Sequence, residues 1–275
     1  MARPKKRSTQ RTKADTADKF KLYEQSVQMP GHEVDFFVQA YGDARKRTPY
    51  RLGEDFCGTF AVSCEWVKSD KKRTAVGTDL CSTTLQWGRN NNLSKLNNEQ
   101  RKRVTLREQD VRSKGSPQFD ILAVQNFSFW VLKTRREVLQ YFETSLSKLA
   151  DQGIMVIDMM GGAECRTEGL THRQTIQEGR DGFQYEWRQV SFNPINSDAC
   201  FSISFLFPDG SKLKDAFVYR FRLWTIVEVR ELLSEAGFRK THVYWANEDD
   251  FDGGWERREK APSDASWTCY LVALK

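Results

Sequence analysis

Four successive stretches of the chain end in side chains suited to holding hydroxyl and amino groups. Glu54-Asp55 close YRLGED, Asp79 closes KKRTAVGTD, Asp110 follows RVTLREQ, and Asn126 closes FDILAVQN. Phe56-Cys57-Gly58-Thr59 form a tight turn after the first stretch, and Asp79 stands 21 residues beyond Gly58. A turn that opens into a helix offers backbone N–H groups to one part of a ligand. An acid ending the next strand takes ribose hydroxyls.

So many carboxylates would repel a phosphate, and the turn contains no Lys or Arg. The set fits a ligand with ribose hydroxyls, an exocyclic amine and a positive charge. S-adenosylmethionine combines all three in its adenosine, α-amino group and sulfonium.

Strands must bring these ends together. Apolar runs predict strands at Tyr50–Phe56, Thr74–Leu80, Arg103–Gln109, Phe119–Asn126 and Gly153–Met160, with helical spacing between them. Val62 and Trp66 share a face of one helix. Thr134-x-x-Glu137 caps another, whose inward stripe is Val138, Leu139, Phe142, Leu146 and Leu149. Strands and helices alternating at this pace imply a mostly parallel sheet with right-handed crossovers. Residues 163–182 are polar and irregular. Strands are then predicted at Phe183–Phe192, Cys200–Phe207 and Ala216–Arg222, the last two joined by Pro208-Asp209-Gly210. After a helix capped by Thr225-x-x-Glu228, Lys240–Trp245 and Trp267–Ala273 close the sheet. A 21-residue loop separates these two strands. The expected fold is α/β: a doubly wound, mostly parallel seven-stranded sheet with an antiparallel insertion (about 163–222) after strand five. Two helices (about 17–44), separated by Pro30-Gly31, form a flap ahead of the core, with Tyr23 a candidate ligand contact or a packing residue.

Over about residues 15–275 the chain resembles the class I, Rossmann-like S-adenosylmethionine-dependent methyltransferases. Their first motif ends a strand with an acid and reads Gly-x-Gly-x-Gly. EDFCGTF matches it with Glu54 as the acid and Gly58 as the middle glycine, Phe56 and Phe60 replacing the outer two. Some members carry a similar EDFCGT stretch and an approach to the last helix like Tyr219–Trp224. The resemblance implies that Glu54, Phe56, Cys57, Gly58 and Thr59 lie along the methionine half of the cofactor. Asp79 and Leu80 match the ribose site, Asp110 and Val111 the adenine site, and Asn126 opens the motif beside the transferred methyl group.

Phe127, Phe129 and Trp130 are placed for a sulfonium, or for packing at the strand end. The acceptor site is expected where the insertion meets the strand ends. Candidate lining residues are Met159, Met160, Tyr185, Trp187, Tyr219, Arg220, Arg222 and Trp224. Alternation puts Arg220 and Arg222 on one face and Tyr219 on the other, so one set at most faces the ligand. No catalytic base is evident. The expected reaction is methyl transfer to N or O of a small molecule. A second reading is an RNA or DNA amine methyltransferase, from Asn126-Phe127-Ser128-Phe129 and a basic tail. A third is a non-catalytic cofactor-binding module.

Composition narrows these readings. Six of the 43 basic residues lie in residues 1–14, and the rest equal the 37 acids in number. The net charge of +6 therefore belongs to a tail expected to be disordered, and the neutral body argues against a nucleic-acid face. No apolar run is long enough for a membrane span and no export signal is evident. Six cysteines without CxxC spacing and three scattered histidines give no metal motif. The expectation is a cytoplasmic protein, monomer or homodimer, with reduced thiols and no metal.

Overall fold

Strand β4 (Phe119–Val124) is buried along its whole length, and its side chains divide between two cores. Leu122 and Val124 join one cluster, Ile121 and Ala123 the other. A strand covered on both faces reads as an unbroken apolar run, which is why this segment shows no alternation in sequence.

The computed structural model describes residues 11–115, 118–246 and 254–275. A one-turn helix α1 (Lys13–Thr16) leads into α2 (Lys19–Val27) and α3 (Pro30–Arg45). The core continues through β1 (Arg51–Asp55), α4 (Ala61–Ser69), β2 (Thr74–Asp79), α5 (Ser82–Asn91), the short α6 (Asn98–Arg101) and β3 (Val104–Glu108). After β4 come α7 (Arg135–Lys148) and β5 (Leu149–Gly161). The insertion holds β6 (Thr171–Gln177), β7 (Phe183–Asn193), β8 (Asp198–Leu206) and β9 (Lys212–Arg222). Helix α8 (Ile226–Glu235), β10 (Lys240–Ala246), β11 (Trp255–Arg257) and β12 (Trp267–Leu274) complete the chain.

The main sheet runs β11-β10-β12-β5-β4-β1-β2-β3. β3, β2, β1, β4 and β5 are parallel, and β12 and β10 add antiparallel strands at one side. The strand order reverses between β1 and β4, where doubly wound sheets place their ligands. Helices α3 and α4 contribute to the core on one face, α7 and α8 to that on the other. Both capping boxes form, Thr134 with Glu137 and Thr225 with Glu228.

Four expectations change. The main sheet has eight strands among the described residues, because β11 adds to the edge of β10 from within the expected loop; residues 247–253 of that loop lie outside the described residues. The insertion is a separate sheet of four strands, β6-β7-β8-β9. β6 is almost wholly exposed, so no apolar pattern announced it. Pro30-Gly31 do not separate two helices: Pro30 occupies the first turn of α3, where its missing N–H costs nothing. Finally, the tail ends sooner than its composition implies. Lys13 N and Nζ bond Asp209 and Asp181, which docks α1 onto the insertion. Residues 1–10 lie outside the described residues. No described helix is long and apolar enough to cross a membrane.

Candidate active site

A cleft of about 240 Å³ opens at the reversal point, between the ends of β1, β2 and β4, helix α2 and strand β9. The turn after β1 forms its floor. Phe56, Gly58 and Phe60 have φ of 57°, 52° and 47°, so three alternate residues are left-handed. These are the three places at which the Gly-x-Gly-x-Gly pattern carries glycine. A side chain in this region costs about 1–3 kcal/mol, and survives where the surroundings fix it. Phe60 is fully buried and leads into α4. Its ring sits against Gly88, where a Cβ would approach the ring and Thr59 O to 2.5 Å. Phe56 meets Tyr141 edge to face at 5.6 Å.

Asp79 clips this turn to the next helix. Its Oδ2 accepts from Gly58 N at 2.8 Å and its Oδ1 from Cys81 N at 2.8 Å. Each carboxylate oxygen keeps a further acceptor site for a ligand hydroxyl. Glu54 is buried and accepts from Ser63 N at 2.9 Å and from Ser63 Oγ; burial pushes its carboxyl up to about 7. Its neighbour Asp55 already has a partner. Lys148 Nζ lies 3.2 Å from Asp55 Oδ2 and also donates to Val111 O at 2.6 Å, while Tyr141 donates to Asp55 at 3.1 Å. Burial raises the Asp55 carboxyl, and Lys148 pulls it back.

Asp158 on β5 was absent from the sequence-based site, although it is the lone acid in the apolar run GIMVIDMM. It accepts from Asn126 N at 2.6 Å and Phe127 N at 2.8 Å. Both of those residues are left-handed, with φ of 58° and 56°. A buried carboxylate thus holds the bend at the end of β4, and burial pushes Asp158 up to about 7. Asp158→Ala leaves two N–H groups without their acceptor and is expected to cost about 2–4 kcal/mol, measured by urea unfolding; Asp158→Asn should recover part of the loss.

Helix α2 walls one side of the cleft with Phe20 and Tyr23. Glu24 accepts from Thr59 Oγ1 at 2.5 Å and from Asn92 Nδ2 at 2.6 Å, and Asp18 from Trp87 Nε1 at 2.7 Å. Tyr23 packs on Phe217, with ring centroids 5.0 Å apart. Burial, then Tyr219, pushes the Tyr23 hydroxyl well up.

Tyr23, Glu54, Phe56, Cys57, Gly58, Thr59, Asp79, Asn126 and Tyr219 come together around this cleft. Other expected residues lie elsewhere. Leu80 points to solvent, 68% exposed. Asp110 pairs with Arg112 at 2.6 Å, which holds its carboxyl below the usual range, and Val111 is in the core. Phe129, Trp130, Met159, Met160 and Trp224 are buried packing residues. Trp187 stacks on Phe201 at 4.8 Å and Tyr185 packs near Phe205; both share a sheet face with Phe217 and Tyr219 but lie outside the cleft lining. Arg222 donates to Lys133 O and Glu228 and lies over Trp224, away from the cleft. Of the two faces of β9, the aromatic one lines the cleft: Phe217, Tyr219 and Phe221. Phe20, Gln28, Asp55, Val62, Thr84, Gln125, Ser128 and Val131 complete the lining. Thr84, Gln125, Ser128 and Val131 stand close to motif residues in sequence, whereas nothing in the sequence tied Phe20 and Gln28 to the site.

This architecture is the fold of the S-adenosylmethionine-dependent methyltransferases. An amino pentose methyltransferase from Micromonospora echinaspora, solved with S-adenosylmethionine bound, matches 93% of this chain and 95% of its own. The identity is 16% and the TM-score 0.68. A sugar N-methyltransferase from Streptoalloteichus matches 100% of this chain and 98% of its own, at 14% identity and TM-score 0.66. An S-adenosylmethionine-dependent methyltransferase from Clostridium acetobutylicum gives 93% and 96%, at 13% and 0.66. No protein-family model and no curated protein sequence matches the chain.

Proposed function

We propose that the protein is an S-adenosylmethionine-dependent methyltransferase that methylates nitrogen on a small-molecule amine. The observation that carries this reading is the cleft at the strand-order reversal. Glu54, Asp55 and Asp79 line it, and no Lys or Arg does among the described residues. Such a lining accepts a cationic ligand with ribose hydroxyls and rejects a phosphate. Asp79 would hold the ribose, the Phe56–Thr59 turn the methionine half, and Tyr23, Phe217 and Tyr219 the acceptor side. An amine fits the aromatic walls better than an anionic acceptor does, and the amino pentose and sugar N-methyltransferases named above share the fold.

When bound, S-adenosylmethionine supplies a methyl group on a sulfonium. The chain's part is alignment and exclusion of water, and orientation alone is worth about 7–11 kcal/mol. The aromatic walls hold the acceptor nitrogen in line, and buried carboxylates with raised pKa can take the proton that a protonated amine must lose before it attacks.

S-adenosylhomocysteine should bind one site per chain with micromolar affinity in calorimetry, and labelled cofactor should mark amines in a metabolite pool. Absence of binding at millimolar ligand would remove the reading. Label appearing only in RNA would replace it with nucleic-acid methylation.

A further inference from the structure

Two acceptor atoms beside the cleft have no donor. Gln28 Oε1, just past the end of α2, and Glu33 Oε2, in the first turn of α3, are both sealed from solvent. No hydrogen-bond donor among the described residues reaches either. Gln28 lines the cleft. The charged groups that face Glu33 are Glu54 at the end of β1 and Asp158 on β5, and Glu33 in turn faces the Tyr270 hydroxyl of β12. Glu33 therefore has an acid on each of two nearby strands, and no cation among the described residues pairs with it. Burial first, then Glu54 and Asp158, push the Glu33 carboxyl up to about 8.

Folded proteins pair nearly all buried polar atoms, so an orphan in the cleft lining, Gln28, and a second beside the cleft acid Glu54, Glu33, point to a missing partner. Gln28 Oε1 accepts, and Glu33 Oε2 accepts once its carboxyl is ionised, so a single donor partner satisfies both. The carboxylates around them make it a cationic donor. Both Ser63 bonds to Glu54 go to Oε2, which leaves Glu54 Oε1 for a third contact. A primary ammonium has three N–H groups and no acceptor.

We propose that Gln28 and Glu33, at the seam between the helical flap and the sheet, form with Glu54 a subsite for a primary ammonium group. The inference rests on the methyltransferase reading, and two ligands of that reaction carry such a group: the amino-acid end of the cofactor and the acceptor amine. Because Gln28 and Glu33 belong to the flap segment and Glu54 to the sheet, the bound ammonium joins flap to core.

Calorimetry on the full-length protein tests this with S-adenosylhomocysteine, which carries the ammonium, and 5′-methylthioadenosine, which lacks the amino-acid end. Glu33→Gln should weaken S-adenosylhomocysteine at least tenfold and leave 5′-methylthioadenosine unchanged if the subsite takes the cofactor's amine. If it takes the acceptor's amine, S-adenosylhomocysteine binds both proteins equally. Glucosamine then binds the wild-type S-adenosylhomocysteine complex and not that of Glu33→Gln. Equal affinity for all three probes overturns the subsite. Failure of wild type to bind S-adenosylhomocysteine overturns the reading beneath it as well.

Heat stability gives a separate readout. Glu33 is raised from 4.5 to about 8 in the folded protein. Its favourable contribution is full below the unfolded value and is lost as pH rises through the folded one. Glu33→Gln, which cannot ionise, should therefore match wild type near pH 4.5 and melt higher above pH 8. A variant that melts lower than wild type at pH 9 would mark Glu33 as an ordinary packing residue and overturn the proposal.

Discussion

Asp79→Ala is expected to weaken S-adenosylhomocysteine by about 10²–10⁴-fold while the chain stays folded. A hydrogen bond to a charged group is worth about 1.5–3 kcal/mol, so two ribose hydroxyls on one carboxylate account for about 3–6 kcal/mol. The same carboxylate positions the turn, because Gly58 N and Cys81 N both donate to it at 2.8 Å. Ligand contact and turn geometry are therefore lost together. The fold should tolerate the change, since Asp79 is only half-buried and water can reach the two N–H groups; a stability loss of about 1–2 kcal/mol is expected. Asp79→Asn keeps the shape and one acceptor and should fall between the two. Calorimetry with S-adenosylhomocysteine, with urea unfolding as the control, decides the matter. Binding by Asp79→Ala within threefold of wild type would move the ribose site elsewhere.

The order of the core was legible in sequence because each strand end carries its own chemistry. Glu54, Asp79 and Asn126 meet at one cleft, as a doubly wound sheet requires of successive strand ends. What the sequence could not show was which carboxylates keep their charge free. Asp110 is taken by Arg112, two residues on, in a pair that the sequence displays but does not orient. Asp55 is taken by Lys148, which no local pattern links to it. The phenylalanines of the turn were misleading for a different reason. Glycine is the usual residue at positive φ, but Phe56 and Phe60 adopt the same dihedrals because Tyr141 and Gly88 shape the space around their rings. In β9 the alternation was plain, and only the fold could decide that Tyr219 rather than Arg222 faces the cleft. The flap's contribution was the least visible. Gln28 and Glu33 are ordinary polar residues in a helical stretch, and their isolation appears only when β1, β5 and β12 close around them.

Lys148→Met is expected to be the most destabilising single change, at about 3–5 kcal/mol near neutral pH. Lys148 and Asp55 are 5% and 2% exposed, so removing the ammonium leaves a buried carboxylate whose one remaining hydrogen-bond donor among the described residues is the Tyr141 hydroxyl. The Val111 carbonyl loses its 2.6 Å donor at the same time. The deficit should depend on pH. Without Lys148, the folded-state pKa of Asp55 lies above its unfolded value, so the variant gains relative stability as pH falls and Asp55 protonates. Urea unfolding at pH 5 and pH 8 should show the smaller deficit at pH 5. Adding Asp55→Asn should recover much of the loss, because the amide oxygen still accepts from Tyr141 and no buried charge remains. A double-mutant cycle then isolates the coupling between the two residues. The double variant also separates the two adjacent acids by role. Asp55 lines the cleft but is neutralised by Lys148, whereas Glu54 pairs with no cation among the described residues. Asp55→Asn/Lys148→Met should therefore bind S-adenosylhomocysteine within a few-fold of wild type, while Glu54→Gln should lose at least tenfold. The reverse order would make Asp55 the ligand-binding acid and the Lys148 pair a part of the site.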